Sequence, residues 1–132
     1  MKIDYNIDFE NKRTYCILTL KDKKFVGEAI CHDTDKDFYS ETTGRSIAYT
    51  RACIKYFQFL KNEERTKLHA LYDLRAHLKP KEHCKTIDKT IKQHEEFLED
   101  LVEAISYHRE YLYSYINEKD KVYKKLRGAK ND

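Results

Sequence analysis

The chain has 132 residues, a length typical of one domain with a modest core. Its 26 lysines and arginines nearly balance 23 aspartates and glutamates, and charged residues make up 37% of the chain. This balance indicates a solvated helical surface. It argues against a nucleic-acid-binding protein, whose surface is dominated by basic residues.

Cysteine spacing and hydropathy indicate the compartment. The four cysteines are far apart and include no C-x-x-C pair: Cys16, Cys31, Cys53 and Cys84. Free thiols are typical of a reducing compartment. No apolar run approaches the ~18 residues of a membrane span, and no segment resembles a signal peptide. We therefore expect a cytoplasmic protein with no membrane contact.

Three segments at the start alternate as strands do. The segment KIDYNIDF places Ile3, Tyr5, Ile7 and Phe9 on one face and polar side chains on the other. The segments RTYCILTL and KFVGEAIC follow, after the turn-like ENK and KDKK. Gly27, within the last of these segments, is expected to let the strand pass a packed helix. These short connections predict an antiparallel meander over residues 1–34, whose apolar face needs a cover.

A first long helix is predicted over residues 40–79, with Thr42 or Thr43 as its N-cap. Pro80, the single proline, is expected to end it. The segment KNEERTK (61–67) interrupts its apolar stripe, so we expect a bend or a loss of cover there. The stripe consists of Ile47, Ala48, Ala52, Ile54, Phe57, Leu60, Leu68, Leu71, Leu74 and Leu78.

A second long helix, over residues 83–127, has the most regular pattern. Its heptad seam alternates spacings of 4 and 3. A helix of about forty residues extends ~60 Å, farther than a three-stranded sheet can cover. We therefore predict an α+β fold within a single domain (1–132): an N-terminal three-stranded antiparallel sheet followed by a long antiparallel two-helix hairpin, in a homo-oligomer of two or more copies. The seam consists of Ile87, Ile91, His94, Leu98, Leu101, Ile105, His108, Leu112, Tyr115, Lys119, Val122 and Leu126.

Three seam positions are polar: His94, His108 and Lys119. Polar residues at such positions commonly fix the register or the oligomeric state, and we interpret these three in that way. The two histidines are fourteen residues apart. That spacing separates them by ~21 Å along one helix, so they cannot share a metal ion within one chain.

Two short motifs have side chains that could bind a metal ion. The segment DTDKDF, from Asp33 to Phe38, resembles the start of a calcium loop. Such a loop needs glycine at its sixth position and glutamate at its twelfth, where this chain has Phe38 and Gly44. The segment CHD (31–33) lacks a second pair of zinc ligands. We expect neither a metal nor a cofactor.

The segment TTGRS (42–46) suits a phosphate. A glycine between hydroxyl residues at a helix start leaves backbone N–H groups free, and the Arg45 guanidinium adds a positive fork. Arg51 extends this basic strip along the helix. The segment lacks the second glycine and the Lys-Ser/Thr pair of a Walker loop, and an ordinary helix start is the alternative. The candidate ligand-binding residues here are Thr43, Gly44, Arg45, Ser46 and Arg51.

The tyrosine-rich segment SYHREYLYSYINEKDKVYKK supplies a second group of candidates. Tyr107, Arg109 and Tyr111 lie off the seam, which leaves two aromatic rings and a guanidinium at the surface or at a subunit interface. Such a surface suits stacked bases, and it equally suits a protein partner. No nucleophile elbow or other catalytic constellation is evident. We therefore expect a binding protein and not an enzyme.

The residues from Gly27 to Ala52 contain G-x-A-x-C-H, an acidic stretch with D-F, and T-G-x-x-I-A-x-x-R-A. With the sheet-then-helices layout, they resemble small phage proteins of low-GC Gram-positive bacteria, above all the first-described anti-Thoeris family. That resemblance implies an oligomer that sequesters cyclic ADP-ribose-type signals, or in some members cyclic oligonucleotides, without cleaving them. No site residue is transferred from the family.

The leading hypothesis is thus a phage-encoded anti-defence protein that sequesters a cyclic nucleotide immune signal in the cytoplasm of the infected bacterial host cell. The alternative is a phage inhibitor, such as an anti-CRISPR protein, that binds a host protein through the helical hairpin. Binding of double-stranded RNA ranks last. The leading helix and the lysine cluster of the domain that binds such RNA are not matched.

Overall fold

The chain forms a three-stranded antiparallel sheet followed by two long helices, as predicted. The computed structural model describes residues 1–31, 40–79 and 84–131. These residues cluster into two compact units: unit 1, with residues 1–56 and 107–132, and unit 2, with residues 57–106. Neither described helix is apolar over a length that would cross a membrane. The elements are β1 (Lys2–Asp8), β2 (Arg13–Leu20), β3 (Lys23–Ile30), α1 (Glu41–His77) and α2 (Cys84–Asn131).

The sheet is a simple meander in the order β1-β2-β3. Tyr5, Cys16 and Gly27 stand opposite one another on the three strands, so they share one face, called here the inner face. Along the middle strand this face is fully closed to solvent, since Cys16 is 0% exposed and Leu18 is 1% exposed. The inner face therefore forms the core of unit 1.

Helix α1 lies directly on β3. Ala48 and Ala52 are each 0% exposed and face Gly27. A Cβ atom at Gly27 would overlap the Ala48 carbonyl oxygen and the Ala52 backbone nitrogen. The prediction that Gly27 lets the strand pass a packed helix is therefore confirmed, and the reason is backbone contact without room for a side chain.

Strand β1 departs from its predicted role. Ile3 and Tyr5 are on the inner face, as their alternation predicted, but they remain 48% and 41% exposed. Phe9 follows the strand and is 57% exposed. The expectation that one apolar face is covered therefore holds for β2 and β3 but is wrong for β1, which is an edge strand.

Two buried thiols lie where the sheet meets α1. Cys16 and Cys53 are hydrogen-bonded to the hydroxyls of Tyr5 and Tyr49, respectively. Burial raises the pKa of both thiols above the ordinary value of 9.0. Cys31 and Cys84 are half-buried, and all four cysteines are free.

Thiol alkylation should distinguish the two buried cysteines from the two half-buried ones. In the folded protein at pH 8 we expect iodoacetamide to modify Cys31 and Cys84 well before Cys16 and Cys53, because thiolates react and buried thiols stay protonated. Unfolding in guanidinium should expose all four. Because the folded-state pKa of Cys16 and Cys53 is the higher one, the free energy of unfolding should fall as the pH rises above about 9. Early modification of Cys16 in the folded chain would contradict this assignment.

Unit 2 is a helical hairpin whose seam on α1 was only partly predicted. From Lys61 onward the buried and half-buried positions of α1 repeat with spacings of 3 and 4, so the helix continues through KNEERTK without losing its cover. The predicted interruption is wrong, because Glu64 is itself a seam residue. Leu74, which was predicted to lie on the seam, is 48% exposed, and the neighbouring Arg75 occupies the seam position instead. The observed seam is Phe57, Lys61, Glu64, Leu68, Leu71, Arg75 and Leu78.

The polar seam residue His94 has a specific partner. Its Nδ1 atom contacts Oε1 of Glu64, whose side chain is only 3% exposed. Nearer the ends of this hairpin, the Arg75 guanidinium contacts the Asp88 carboxylate at 2.7 Å, with both side chains partly exposed. Both pairs join α1 to α2 as an antiparallel hairpin requires, because the later residue of α1 meets the earlier residue of α2. They support the interpretation that His94 fixes the register.

In unit 1 the seam of α2 holds as far as Lys119. His108, Leu112, Tyr115 and Lys119 are half-buried, but Val122 and Leu126 are 48% and 41% exposed. The predictions for those two residues are wrong. A straight α-helix drifts about 20° per heptad against a strict seven-residue repeat. The buried stripe has accordingly moved by one position, to Tyr123 and Arg127.

Candidate functional site

Ser40 caps α1. Its hydroxyl accepts a hydrogen bond from the Thr43 amide at 3.4 Å, and its carbonyl oxygen accepts one from the Gly44 amide at 3.0 Å. The predicted cap at Thr42 or Thr43 is therefore wrong, because both residues already lie inside the first turn. The Gly44 amide is paired within the helix, so it is not available to a phosphate as predicted.

A cavity of about 160 Å³ lies between β3 and the two helix segments of unit 1. We call it the α1–β3 cavity. The start of α1 forms one wall through Thr43, Gly44 and Ile47, and α2 forms another through Ile116, Lys119 and Tyr123. The remaining lining residues are Ala29, Ile30, Cys31, Ser40, Arg51 and Asp120.

Among the described residues, two cations and one carboxylate line this cavity: Arg51, Lys119 and Asp120. Arg51 uses one guanidinium nitrogen to donate to the Glu28 carbonyl oxygen at 2.7 Å. A guanidinium carries five N–H donors, so this bond fixes the group in place without exhausting it. The Lys119 ammonium lies 5.4 Å from the centre of the Tyr115 ring. The described lining residues therefore carry a net positive charge, and both cationic side chains are positioned by defined contacts.

Hydroxyl groups complete the polar lining. The Tyr123 hydroxyl is hydrogen-bonded to the Thr43 side chain. Burial raises the pKa of Tyr123 above its ordinary value of 10.0, so the phenol stays protonated at neutral pH. With Ser40 and Thr43, it offers groups that donate hydrogen bonds to an anion without adding negative charge.

A second, more open groove in unit 1 contains the predicted tyrosines. Tyr107 and Tyr111 line it together with Ser46 and His108. The Tyr111 ring stacks on Tyr115 at 5.9 Å between centres, and Tyr107 meets His108 edge to face at 5.6 Å. We call it the tyrosine groove; its remaining lining residues are Tyr49 and Thr50.

The eight predicted site residues are thus not brought into one site. Thr43, Gly44 and Arg51 line the α1–β3 cavity, and Ser46, Tyr107 and Tyr111 line the tyrosine groove, which shares no lining residue with the cavity. Two predicted residues line neither: Arg45 and Arg109.

Arg45 has other partners and Arg109 faces solvent. The Arg45 guanidinium lies 3.7 Å from the Glu41 carboxylate and 5.5 Å from the centre of the Tyr5 ring. Arg109 is exposed. Sequence reasoning did not assign Lys119 or Tyr123 to a site. The available signal was a lysine on a mostly apolar seam, one turn after Tyr115.

Most residues of the two candidate metal motifs lie outside the described residues. DTDKDF (33–38) and the His32–Asp33 part of CHD fall outside the described residues. Within residues 1–31, 40–79 and 84–131, no group of three or more histidine, cysteine, aspartate or glutamate side chains is arranged to hold a metal ion.

Comparison with known proteins gives no match: no family model fits the chain, and no curated protein or solved structure is significantly similar to it.

Proposed function

We propose that this protein is a non-enzymatic binder of a phosphate-bearing nucleotide, whose phosphate enters the α1–β3 cavity. The observation that carries the proposal is the convergence of Arg51 and Lys119 with the hydroxyls of Thr43 and Tyr123 around one cavity. Arginine forks and ammonium groups are the usual phosphate partners in proteins.

The size of the cavity limits what it holds. Pockets that enclose a whole small molecule measure roughly 300–1,000 Å³. At about 160 Å³ the α1–β3 cavity suits a phosphate and a neighbouring group, with the rest of the ligand outside it. That the ligand is a cyclic ADP-ribose isomer or a cyclic oligonucleotide, held to block host anti-phage defence, is supported by the resemblance of residues 27–52. A binder of this kind acts in the cytoplasm and needs no cofactor.

Inhibition of a host protein is the second candidate. It is favoured by the exposed rings of α2, since Tyr107 and Tyr113 are 66% and 72% exposed. Tyrosine is among the residues that most often anchor protein interfaces.

Calorimetric titration with cyclic ADP-ribose isomers, cyclic di- and trinucleotides and inorganic phosphate tests the binding. Release of intact ligand after heat denaturation, checked by mass, separates sequestration from cleavage. We expect Lys119→Ala to weaken binding roughly tenfold to a hundredfold, the usual range for a lost charged hydrogen bond. Arg109→Ala, in neither cavity, is the matched control and should bind normally.

Arg51→Ala should have a similar effect, but it also removes the bond to Glu28. Lys119→Ala is therefore the cleaner variant. No heat with any of these ligands, or equal binding by the Lys119 and Arg109 variants, would contradict the proposal. Capture of one host protein by the unmodified chain, lost when Tyr107 and Tyr113 are changed to serine, would then favour the inhibitor.

A further inference from the structure

Strand β1 is an edge strand whose inner face is only partly covered by the described residues. Ile3 and Tyr5 share that face with Cys16 and Leu18, yet they are about half exposed while Cys16 and Leu18 are buried. The other edge differs. At β3, Ala29 is 5% exposed, and Arg51 of α1 donates to the Glu28 carbonyl oxygen. The surface open to another strand is therefore at β1.

We propose that β1 pairs antiparallel with β1 of a second copy, centred on Tyr5, so that two sheets join into one sheet of six strands. Successive side chains of a strand point to opposite faces of the sheet. Two identical antiparallel strands therefore keep their inner faces on the same side of the joined sheet only when the two-fold axis passes through a residue, and not between two residues. Centring on Tyr5 then sets every other pair. This inference concerns assembly and is independent of the proposed ligand.

The sequence of β1 is complementary to itself in this register. Lys2 stands opposite Asp8 of the second copy, Ile3 opposite its Ile7, and Asp4 opposite its Asn6. Each pair occurs twice because of the two-fold symmetry. The apolar pairs extend the inner face, and the outer face gains two opposite-charge pairs. Lys2 already lies 3.7 Å from Asp4 of its own strand, so its ammonium would sit between two carboxylates.

The neighbouring registers are unfavourable. Centring on Asp4 sets that carboxylate opposite itself, and centring on Asn6 sets Asp4 opposite Asp8. Like charges directly opposite destabilise a strand pair. Asp8 keeps its charge, because hydrogen bonds from Asn11 at 3.1 and 2.8 Å lower the pKa of its carboxyl. Of the registers centred on Asp4, Tyr5 and Asn6, which pair most of the strand, only the Tyr5-centred one avoids a pair of carboxylates.

The dimerisation constant, measured by sedimentation equilibrium of the full chain, tests the pairing. Asn6→Asp creates two carboxylate pairs and should weaken the dimer roughly tenfold. The double variant Asp4→Asn/Asn6→Asp restores an amide opposite each carboxylate, with the composition of the original chain, and should recover the dimer. Asn62→Asp, an exposed change on α1 in unit 2, controls for the added charge. A monomeric parent, or an Asn6→Asp dimer of unchanged strength, overturns the proposal.

Crosslinking tests the register. Opposed residues of paired strands have Cα atoms about 4.5–5.5 Å apart, within the range of a disulfide. In a chain with Cys31 and Cys84 changed to serine, a mixture of Asp4→Cys and Asn6→Cys proteins should form a crosslinked heterodimer on mild oxidation. Each protein alone should not crosslink. Self-crosslinking of either one, or none in the mixture, would exclude a pairing centred on Tyr5.

Discussion

A Gly27→Ala chain is expected to lose about 3 kcal/mol of its free energy of unfolding, the upper part of the range for overpacked cores. The added Cβ meets the Ala48 carbonyl oxygen and the Ala52 backbone nitrogen, and neither belongs to a side chain that can rotate away. Helix α1 must move off β3 to admit the methyl group, which also opens the layer above Cys16. Urea unfolding followed by far-UV circular dichroism measures the loss.

Gly128→Ala is the matched control for this prediction. A Cβ atom at Gly128 meets nothing within 4 Å, and the residue lies in α2. Alanine stabilises an exposed helical position by up to about 1 kcal/mol over glycine, so this variant should be as stable as the original chain or slightly more stable. Equal losses at the two glycines would show that α1 does not pack on β3 as described.

A His94→Leu chain is expected to lose about 2 kcal/mol, within the range for a buried polar group left without its hydrogen-bond partner. The cause is Glu64, which is 3% exposed and would be left without its partner. The same urea unfolding measures the loss. Asp88→Ala breaks the Arg75–Asp88 pair of the same hairpin, where both side chains are partly exposed, and should cost much less stability than His94→Leu.

The double variant Glu64→Leu/His94→Leu shows whether the loss of stability comes from the buried carboxyl of Glu64 left without a partner or from lost packing at position 94. Two leucines in a helical seam remove the uncompensated carboxylate, so stability should return to the original value or exceed it. If the double variant is as unstable as His94→Leu, the cost comes from packing around position 94 and not from the unpaired charge of Glu64.

Patterns confined to one element were predictable. The alternation of residues 2–9 identified β1 and its inner face, and the seam of α2 was correct from Ile87 to Lys119. Gly27 was recognised because glycine within a strand usually marks close backbone approach. In each case the signal is carried by spacing along the chain, which sequence alone supplies.

Features that depend on a distant partner were missed. The pattern of α1 marks Glu64 as part of an interruption, because its partner His94 lies thirty residues away along the chain and no local spacing reveals it. Ser40 was passed over as the N-cap, since three hydroxyl residues compete within four positions. The cavity required knowing that Arg51 and Lys119 come together from different helices, and no spacing rule relates those two positions.

The two units differ in how far apart along the chain their parts lie, and this difference sets an order of assembly. Unit 2 is one continuous segment, residues 57–106, closed by a short connection between its helices. Unit 1 joins residues 1–56 to residues 107–132, with the whole of unit 2 between them. Closing a longer loop costs more chain entropy, and contacts distant in sequence form more slowly. We therefore expect the hairpin of unit 2 to form early. Its formation shortens the effective loop between the two flanking segments of unit 1. The α1–β3 cavity should accordingly be completed late in folding.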